Sequence, residues 1–248
     1  MTKVVLVTGA SRGIGRATAL LLARQGYAVG VNYLKDEAAA AQVVAEIEAM
    51  GGRALALRAD VADENQVVAM FNALDVGLGP ISALVNNAGI LFQQTGIEQL
   101  TAERINKVLS TNVTGYFLCC RETVKRMAQR HGGQGGAIVN VSSVAARLGA
   151  PGEYIDYAAS KGAVDTLTTG LALEVAAQGI RVNAVRPGLI YTEMHASGGE
   201  PGRVDRVKSS LPMQRGGTPE EVAEIIVWLL SDAASYVTGS FIEAAGGR

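Results

Sequence analysis

The sequence is poor in the residues that cross-link a chain or give it a dominant charge. Among 248 residues there are two cysteines, Cys119 and Cys120, adjacent and so unable to frame a fold with bridges. That usage fits a reducing compartment, and a cytoplasmic protein is expected. Histidine occurs only as His131 and His195, with no thiol or carboxylate cluster around either, so no metal centre is expected. Neither sign of charge is in excess: 22 Lys and Arg stand against 23 Asp and Glu, a net charge of −1 with a pI of about 6.2. This leaves no electrostatic footprint for nucleic acid or an anionic membrane surface. No apolar run reaches the ~20 residues of a membrane span, because Gly, Arg or Lys interrupts each candidate. The opening residues also lack the long apolar stretch and small-residue cleavage site of a secretory leader.

What the chain does have is apolar residues, at 48%, and glycine, with 30 residues and no collagen-like period. The first excludes general disorder and the second implies many tight turns. Short β-branched runs at Lys3–Thr8, Ala28–Tyr33, Ala54–Arg58, Ala83–Asn86, Ala137–Ser142, Arg181–Val185 and Phe241–Glu243 read as strands. Between them, helices are expected over Arg16–Gln25, Glu37–Met50, Glu64–Val76, Ala102–Arg130, Ala158–Gln178 and Pro219–Leu230. Gly51-Gly52 should stop the second helix, and Thr218 should cap the last, with Pro219 in its first turn. Near-continuous apolar strands alternating with helices indicate a parallel sheet covered on both faces. The expected fold is α/β: one Rossmann-type, doubly wound domain over residues 1–248 with about seven strands. A Gly-, Pro- and Ser-rich stretch near 191–213 should form a mobile substrate lid.

The first strand runs into Thr8-Gly9-Ala10-Ser11-Arg12-Gly13-Ile14-Gly15 and then a helix. Gly9 permits a sharp turn, Gly13 lets backbone approach a pyrophosphate, and Gly15 allows close packing of helix on sheet. The helix N-terminus then offers unpaired N–H groups and a positive dipole end to an anion. Further along, Tyr157-Ala158-Ala159-Ser160-Lys161 places a phenol and an ammonium at i and i+4 on one helical face. A nearby cation favours the phenolate, so Tyr157 can exchange a proton near neutral pH. Ser142-Ser143 ends a strand, at the carboxyl edge where ligands bind in such sheets.

These segments, in this order and spanning essentially the whole chain, resemble the short-chain dehydrogenase/reductase family. The resemblance implies a cofactor loop at Gly9, Ser11, Arg12, Gly13 and Ile14, and an adenine contact at Asp60-Val61. It implies a cofactor-lining segment at Asn87, Ala88 and Gly89, preceded by Asn86. Pro187, Gly188, Ile190 and Thr192 match the segment that holds the nicotinamide carboxamide, and Val237-Thr238-Gly239 resembles the family's turn into its last strand. Asn112, Ser143, Tyr157 and Lys161 fall where the family keeps its catalytic tetrad. Tyr157 would then exchange the proton, Ser143 would hydrogen-bond the carbonyl oxygen, and Lys161 would bind the nicotinamide ribose and lower the tyrosine pKa. Asn112 would hold a water of a proton relay. Ser143 lies one residue further from Tyr157 than the family spacing, and the turn-rich Gly149–Glu153 would absorb the difference. Ser142 is the alternative, with strand-end packing as its plainer reading.

Cofactor choice turns on charge. Strand two ends Val31-Asn32-Tyr33-Leu34-Lys35 with no acid before Asp36, while Arg12 sits in the Gly-rich loop. A guanidinium there suits a 2′-phosphate, and Asn32 and Lys35 would add donors. NADP(H) is therefore expected over NAD(H), with NAD(H) still possible. The substrate would be a small carbonyl or alcohol. Resemblance within the family extends to 3-oxoacyl carrier-protein reductases and to sugar- or polyol-type dehydrogenases, and a non-catalytic NADP-binding sensor is the more distant alternative. Leu173 and Gln178 stand where basic residues would help receive an acidic carrier, although Arg130 is nearby. Cys119 and Cys120 read as small buried hydrophobes and Trp228 as part of a helix core stripe. Tyr154 fits the rim of the substrate cleft or a surface turn. Tyr116, Phe117, Leu167, Leu171 and Leu173 look like more apolar surface than one sheet face needs, and the family resemblance implies a homotetramer or homodimer through these helices.

Overall fold

The computed structural model describes residues 2–248. Seven strands form one fully parallel sheet: β1 (Val4–Val7), β2 (Ala28–Tyr33), β3 (Ala54–Arg58), β4 (Ala83–Asn86), β5 (Gly136–Val141), β6 (Ile180–Pro187) and β7 (Phe241–Ala244). Their order is β3-β2-β1-β4-β5-β6-β7, so the direction of winding reverses between β1 and β4. In a doubly wound sheet that reversal opens a crevice beyond the carboxyl ends of the two strands.

The helices are α1 (Gly13–Arg24), α2 (Glu37–Ala49), α3 (Glu64–Gly77), α4 (Ala102–Leu109), α5 (Gly115–Met127), α6 (Ala145–Leu148), α7 (Ile155–Val175), α8 (Met194–Ser197), α9 (Arg203–Val207) and α10 (Pro219–Leu230). Alternation along the strands divides the core into two layers. Leu6, Leu84, Ile138 and Val182 pack against Phe71, Leu74, Tyr116 and Val164 of α3, α5 and α7. Val5, Val29, Val85 and Val139 pack against Leu22, Ile47, Ile226 and Leu229 of α1, α2 and α10. Thr218 caps α10 in a reciprocal capping box with Glu221, with Pro219 in the first turn as expected.

The differences from the sequence reading have local causes. The single helix expected over Ala102–Arg130 is two, joined by a π turn at Ser110–Thr114, and it ends at Met127. The helix expected from Ala158 begins at Ile155, because Arg104 holds Asp156 of its first turn through a paired contact (2.8 and 3.3 Å). The segment near 191–213 is not irregular: it carries α8, α9 and a 3-10 turn, Lys208–Ser210. Trp228 is 41% exposed rather than part of the core stripe. Tyr116 and Leu167 are buried inside the domain, whereas Phe117 and Leu173 stay exposed. Cys119 and Cys120 are buried, and burial pushes both thiols up, Cys120 to about 12. No helix among the described residues is long and apolar enough to cross a membrane.

Candidate active site

The loop after β1 folds back under the end of β4. Gly9 adopts φ +63°, and a Cβ there would come within 3.0 Å of the Ala88 Cα. At Gly15 a Cβ would lie 2.3 Å from the Gly9 carbonyl oxygen, so α1 can start this close to the sheet only with glycine at that position. Side chains then lock the loop. Thr8 Oγ1 accepts from the N–H groups of Asn87 (2.9 Å) and Ala88 (3.0 Å). Asn87 Nδ2 returns to the carbonyls of Thr8 (2.9 Å) and Gly9 (3.0 Å).

Asn32, expected to offer a donor to a cofactor phosphate, is instead part of this lock. It is 2% exposed. Its Oδ1 accepts from Gly9 N–H (3.1 Å), and its Nδ2 donates to the carbonyls of Leu57 (3.1 Å) and Ala59 (3.2 Å). Both amide hydrogens are used inside the protein. Asp36, the first acid after β2, caps α2 by accepting from Ala39 N–H (2.9 Å). Asp60 is likewise partly engaged, its Oδ1 accepting from Ala62 N–H (2.9 Å), and Val61 is buried.

Helices α2, α3, α4 and α10 each have a side-chain cap. Helix α1 has neither a side-chain cap nor an acid in its first turn, and its N-cap residue, Arg12, is exposed in extended conformation. Among the described residues Arg12 and Lys35 take part in no ion pair. The first N–H groups of α1 are therefore left to an external acceptor, beside a free guanidinium. This arrangement fits the pyrophosphate of a dinucleotide. Thr192, after β6, closes the other side of the loop, with its Cγ2 3.4 Å from where a Gly13 Cβ would lie. The strand before it ends at Pro187, Gly188 follows with its N–H on the Ala244 carbonyl (2.9 Å), and buried Ile190 bridges to Gly217.

Across the crevice, β5 and α7 bring the expected catalytic groups together. Val141 packs toward α1 and α10, so alternation turns Ser142 toward α7. There its Oγ donates to Asp165 Oδ1 (2.6 Å). Ser143, just past the strand end, is half-buried and accepts from Ala145 N–H (3.1 Å). The one-residue excess before Tyr157 is taken up by a left-handed turn, with Gly149 (φ +74°), Ala150 (φ +46°) and Gly152 (φ +72°). Burial pushes the Tyr157 phenol up to about 12, while a hydrogen bond with Ser143 pulls it back. The Lys161 ammonium is 3% exposed, and burial pushes it down to about 7 against the opposing charge of Asp165. Its Nζ donates to the Val141 carbonyl (2.7 Å) and lies 5.7 Å from the Tyr157 ring centre. Gly89 faces it: a Cβ there would lie 3.7 Å from Nζ.

Asn112 sits in the π turn between α4 and α5. Its Oδ1 accepts from Ile90 N–H (2.8 Å), and its Nδ2 donates to the Ile90 carbonyl (2.9 Å) and to Ser160 Oγ (3.0 Å). The amide is thus a clamp, and a relay water would find only one remaining Oδ1 lone pair there.

Arg203, Gln94 and Glu200 escaped the sequence reading, whereas Tyr154, expected at the cleft rim or in a surface turn, is buried and edge-on to Tyr157, with ring centres 6.5 Å apart. It packs with Leu91, Ala145, Ala150 and Met194 into the apolar wall of the cleft. Arg203 of α9 is buried against the Tyr154 ring and pairs with Glu153 (2.5 Å) and Glu200 (3.3 Å). Gln94 donates to both Tyr154 Oη (3.0 Å) and Glu200 (2.9 Å). The α8–α9 segment is therefore pinned to the residue that touches Tyr157. The only early signal was charge density in Glu200–Arg206.

Comparison with known proteins identifies the family. Residues 9–248 match the family described as enoyl-(acyl carrier protein) reductase. The chain is 75% identical over 245 residues to an uncharacterized oxidoreductase, YgfF, of Escherichia coli, covering 99% of each. It is 39% identical to the 3-oxoacyl-[acyl-carrier-protein] reductase FabG of Staphylococcus aureus, covering 100% of this chain and 98% of that one. A short-chain dehydrogenase from Burkholderia cenocepacia, solved in complex with NADP, superposes with a TM-score of 0.89 at 34% identity, covering 99% of this chain and 97% of that one. The crevice, the open helix end and the Tyr157–Lys161 pair thus belong to an oxidoreductase, and the chain is a member of the short-chain dehydrogenase/reductase family.

Proposed function

We propose that this protein interconverts a small, free carbonyl compound and the corresponding secondary alcohol, using NADP(H) in preference to NAD(H). The observation that carries the reading is the convergence of Ser143, Tyr157 and Lys161 at the carboxyl edge of β5, beside the uncapped end of α1. Gly9, Ser11, Arg12, Gly13 and Ile14 would hold the cofactor phosphates. Asp60 and Val61 would flank the adenine, Asn87, Ala88 and Gly89 would line the ribose side, and Pro187, Gly188, Ile190 and Thr192 would hold the carboxamide end. The bound nicotinamide supplies or takes the hydride. Tyr157 gives the carbonyl oxygen its proton in reduction and takes it back in oxidation. Ser143 donates a hydrogen bond to that oxygen as charge develops on it. Lys161 stays protonated to bind ribose hydroxyls and stabilise tyrosinate.

Surface charge favours a free substrate over one delivered on an acidic carrier. The cations of α5 are paired with nearby acids: Arg121 with Glu64 and Glu122, Lys125 with Glu122, and Arg126 with Asp75 and Glu122. Leu173, exposed on α7, and Gln178, just past its end, stand where carrier-docking bases would help, and Gln178 Oε1 accepts from Arg130 N–H (2.9 Å). A panel of small carbonyls and alcohols, with each cofactor and in both directions, tests the reading. Turnover of carrier-linked 3-oxoacyl chains alone would restore the fatty-acid alternative. A cofactor that binds and is never consumed would make the chain a sensor.

Ser143 and Ser142 are expected to separate cleanly. Ser143→Ala should lower turnover by the equivalent of ~2–4 kcal/mol, as for the loss of one oxyanion donor. Ser142→Ala removes the donor to Asp165 and should show chiefly as lower thermal stability, with little change in rate. The opposite ranking of rates would move the carbonyl-binding role to Ser142.

The same reading assigns a cytoplasmic homotetramer or homodimer, assembled through α5 and α7. Exposed Phe117 and Leu173 support it, as do Gly162 and Gly170 of α7, where an added Cβ would meet nothing within 4 Å. Helical glycine costs ~1 kcal/mol relative to alanine, so two with open space in front suit the close approach of another helix. Light scattering at micromolar concentration should give a mass of two or four chains, and a monomer would refute the assembly.

A further inference from the structure

One buried polar group beside the reactive lysine is not used by the mechanism above. Tyr116, on the first turn of α5, is 1% exposed. Its Oη receives a hydrogen bond from Lys161 Nζ (3.2 Å) and donates its own proton to the Val141 carbonyl (3.0 Å). The same carbonyl accepts from Nζ at 2.7 Å, closing a three-membered circuit of ammonium, phenol and strand end. The Tyr116 ring also presents its face to the ammonium, with Nζ 5.0 Å from the ring centre, closer than the 5.7 Å to Tyr157.

An ammonium has three hydrogens. Two are held inside the protein by Val141 and Tyr116, which leaves one for a cofactor hydroxyl. We infer that Tyr116 is a positioning residue: it aims the Lys161 ammonium and keeps it protonated in a buried pocket, so that Lys161 can serve both cofactor and Tyr157. The inference rests on the Tyr157–Lys161 reading and adds a second phenol to it.

The chemistry is that of a buried cation. Burial favours neutral lysine, and a lone pair or π face directed at the ammonium opposes this. Other groups near Nζ cannot fully replace that support. Tyr157, on its own helix, is neutral at ordinary pH because burial raises its phenol. Asp165, one turn along, is shared with Ser142 Oγ (2.6 Å) and with Arg186 (2.9 Å), whose positive charge offsets its own. Cys119 and Cys120, near Tyr116, are held as neutral thiols. Burial likewise keeps the Tyr116 phenol protonated, so it acts as a dipole and not as an anion.

The test is Tyr116→Phe, which keeps the ring and removes the hydroxyl. Without that acceptor, the pH above which NADPH affinity and kcat/KM for reduction decline should fall by about one unit. At a pH above both limbs this corresponds to about tenfold weaker NADPH binding, because affinity follows the protonated fraction. Tyr116→Leu, which also removes the π face, should shift the limb further. Both are read as positions on a pH axis, which a smaller folded fraction does not move. A Tyr116→Phe enzyme with an unmoved limb, whatever its melting temperature, overturns the inference and leaves Tyr116 as core packing. Lys161→Ala separates this from failure of the underlying reading. If that variant keeps activity and cofactor affinity, Lys161 is not the group at work and the mechanism itself falls.

Discussion

Tyr157→Phe is expected to lower turnover by ~10²–10⁴-fold, the usual contribution of a positioned acid or base, while leaving cofactor affinity nearly unchanged. The substitution removes one hydroxyl from a ring whose packing against Tyr154, Leu91 and Met194 is otherwise kept. Burial holds the phenol up at about 12, so near neutral pH it carries the proton that reduction of a carbonyl needs. Lys161→Ala should behave differently and lose both turnover and cofactor affinity, since Lys161 serves both. The pH dependence follows from the same two groups. Lys161 is the one displaced toward neutrality, to about 7, because burial disfavours its charged form. Below that pH it is protonated and Tyr157 is neutral, the state that reduction requires. Reduction should therefore be level on the acid side and fall as pH rises through about 7. Steady-state rates across pH, with binding titrations for each variant, check all three statements. A Tyr157→Phe enzyme with substantial residual turnover would remove the phenol from the reaction.

The parts of this site that were legible in the sequence are those whose residue types have few other uses. Strands β2, β3 and β4 coincide residue for residue with the expected runs because each is a short apolar stretch bounded by turn formers. The loop at Gly9–Gly15 could be read because only glycine fits its left-handed turn and its contact with the sheet. Tyr157 and Lys161 could be read because their spacing has a helical meaning. What stayed hidden depended on where side chains turn in three dimensions. The π turn carries no Gly or Pro marker, so Ala102–Arg130 looked like one helix. Tyr116 counted as apolar surface, and nothing in its neighbours shows a phenol reaching β5 from α5. Asn32 looked like a free donor at a strand end, yet the carbonyls that consume its amide belong to β3 and the loop beyond it. The Arg203 network joins residues about fifty positions apart, beyond the reach of any local pattern.

Arg12→Ala is expected to weaken NADPH binding by ~10–100-fold and NADH binding little. The 2′-phosphate brings close to two negative charges, and a guanidinium can hold it with paired, charge-assisted hydrogen bonds. Such bonds contribute ~1.5–3 kcal/mol each, which sets the size of the loss. Arg12 is exposed at the mouth of the uncapped α1, so deleting it leaves no buried partner unsatisfied and the comparison of cofactors stays clean. No acid stands at the end of β2 itself, and the first one beyond it, Asp36, is turned onto the N-terminus of α2. Asn32→Asp is not the substitution that would invert the preference. An aspartate there could not donate to Leu57 and Ala59, and it would bury a charge beneath the Gly9 loop, so its main effect should be on stability. A negative charge at exposed Lys35, as in Lys35→Glu, tests repulsion without touching that lock. Added to Arg12→Ala, it should carry the preference over to NADH. Equal affinities for the two cofactors in the unmodified protein would show that Arg12 faces only solvent, and the charge argument for NADP(H) would fall with it.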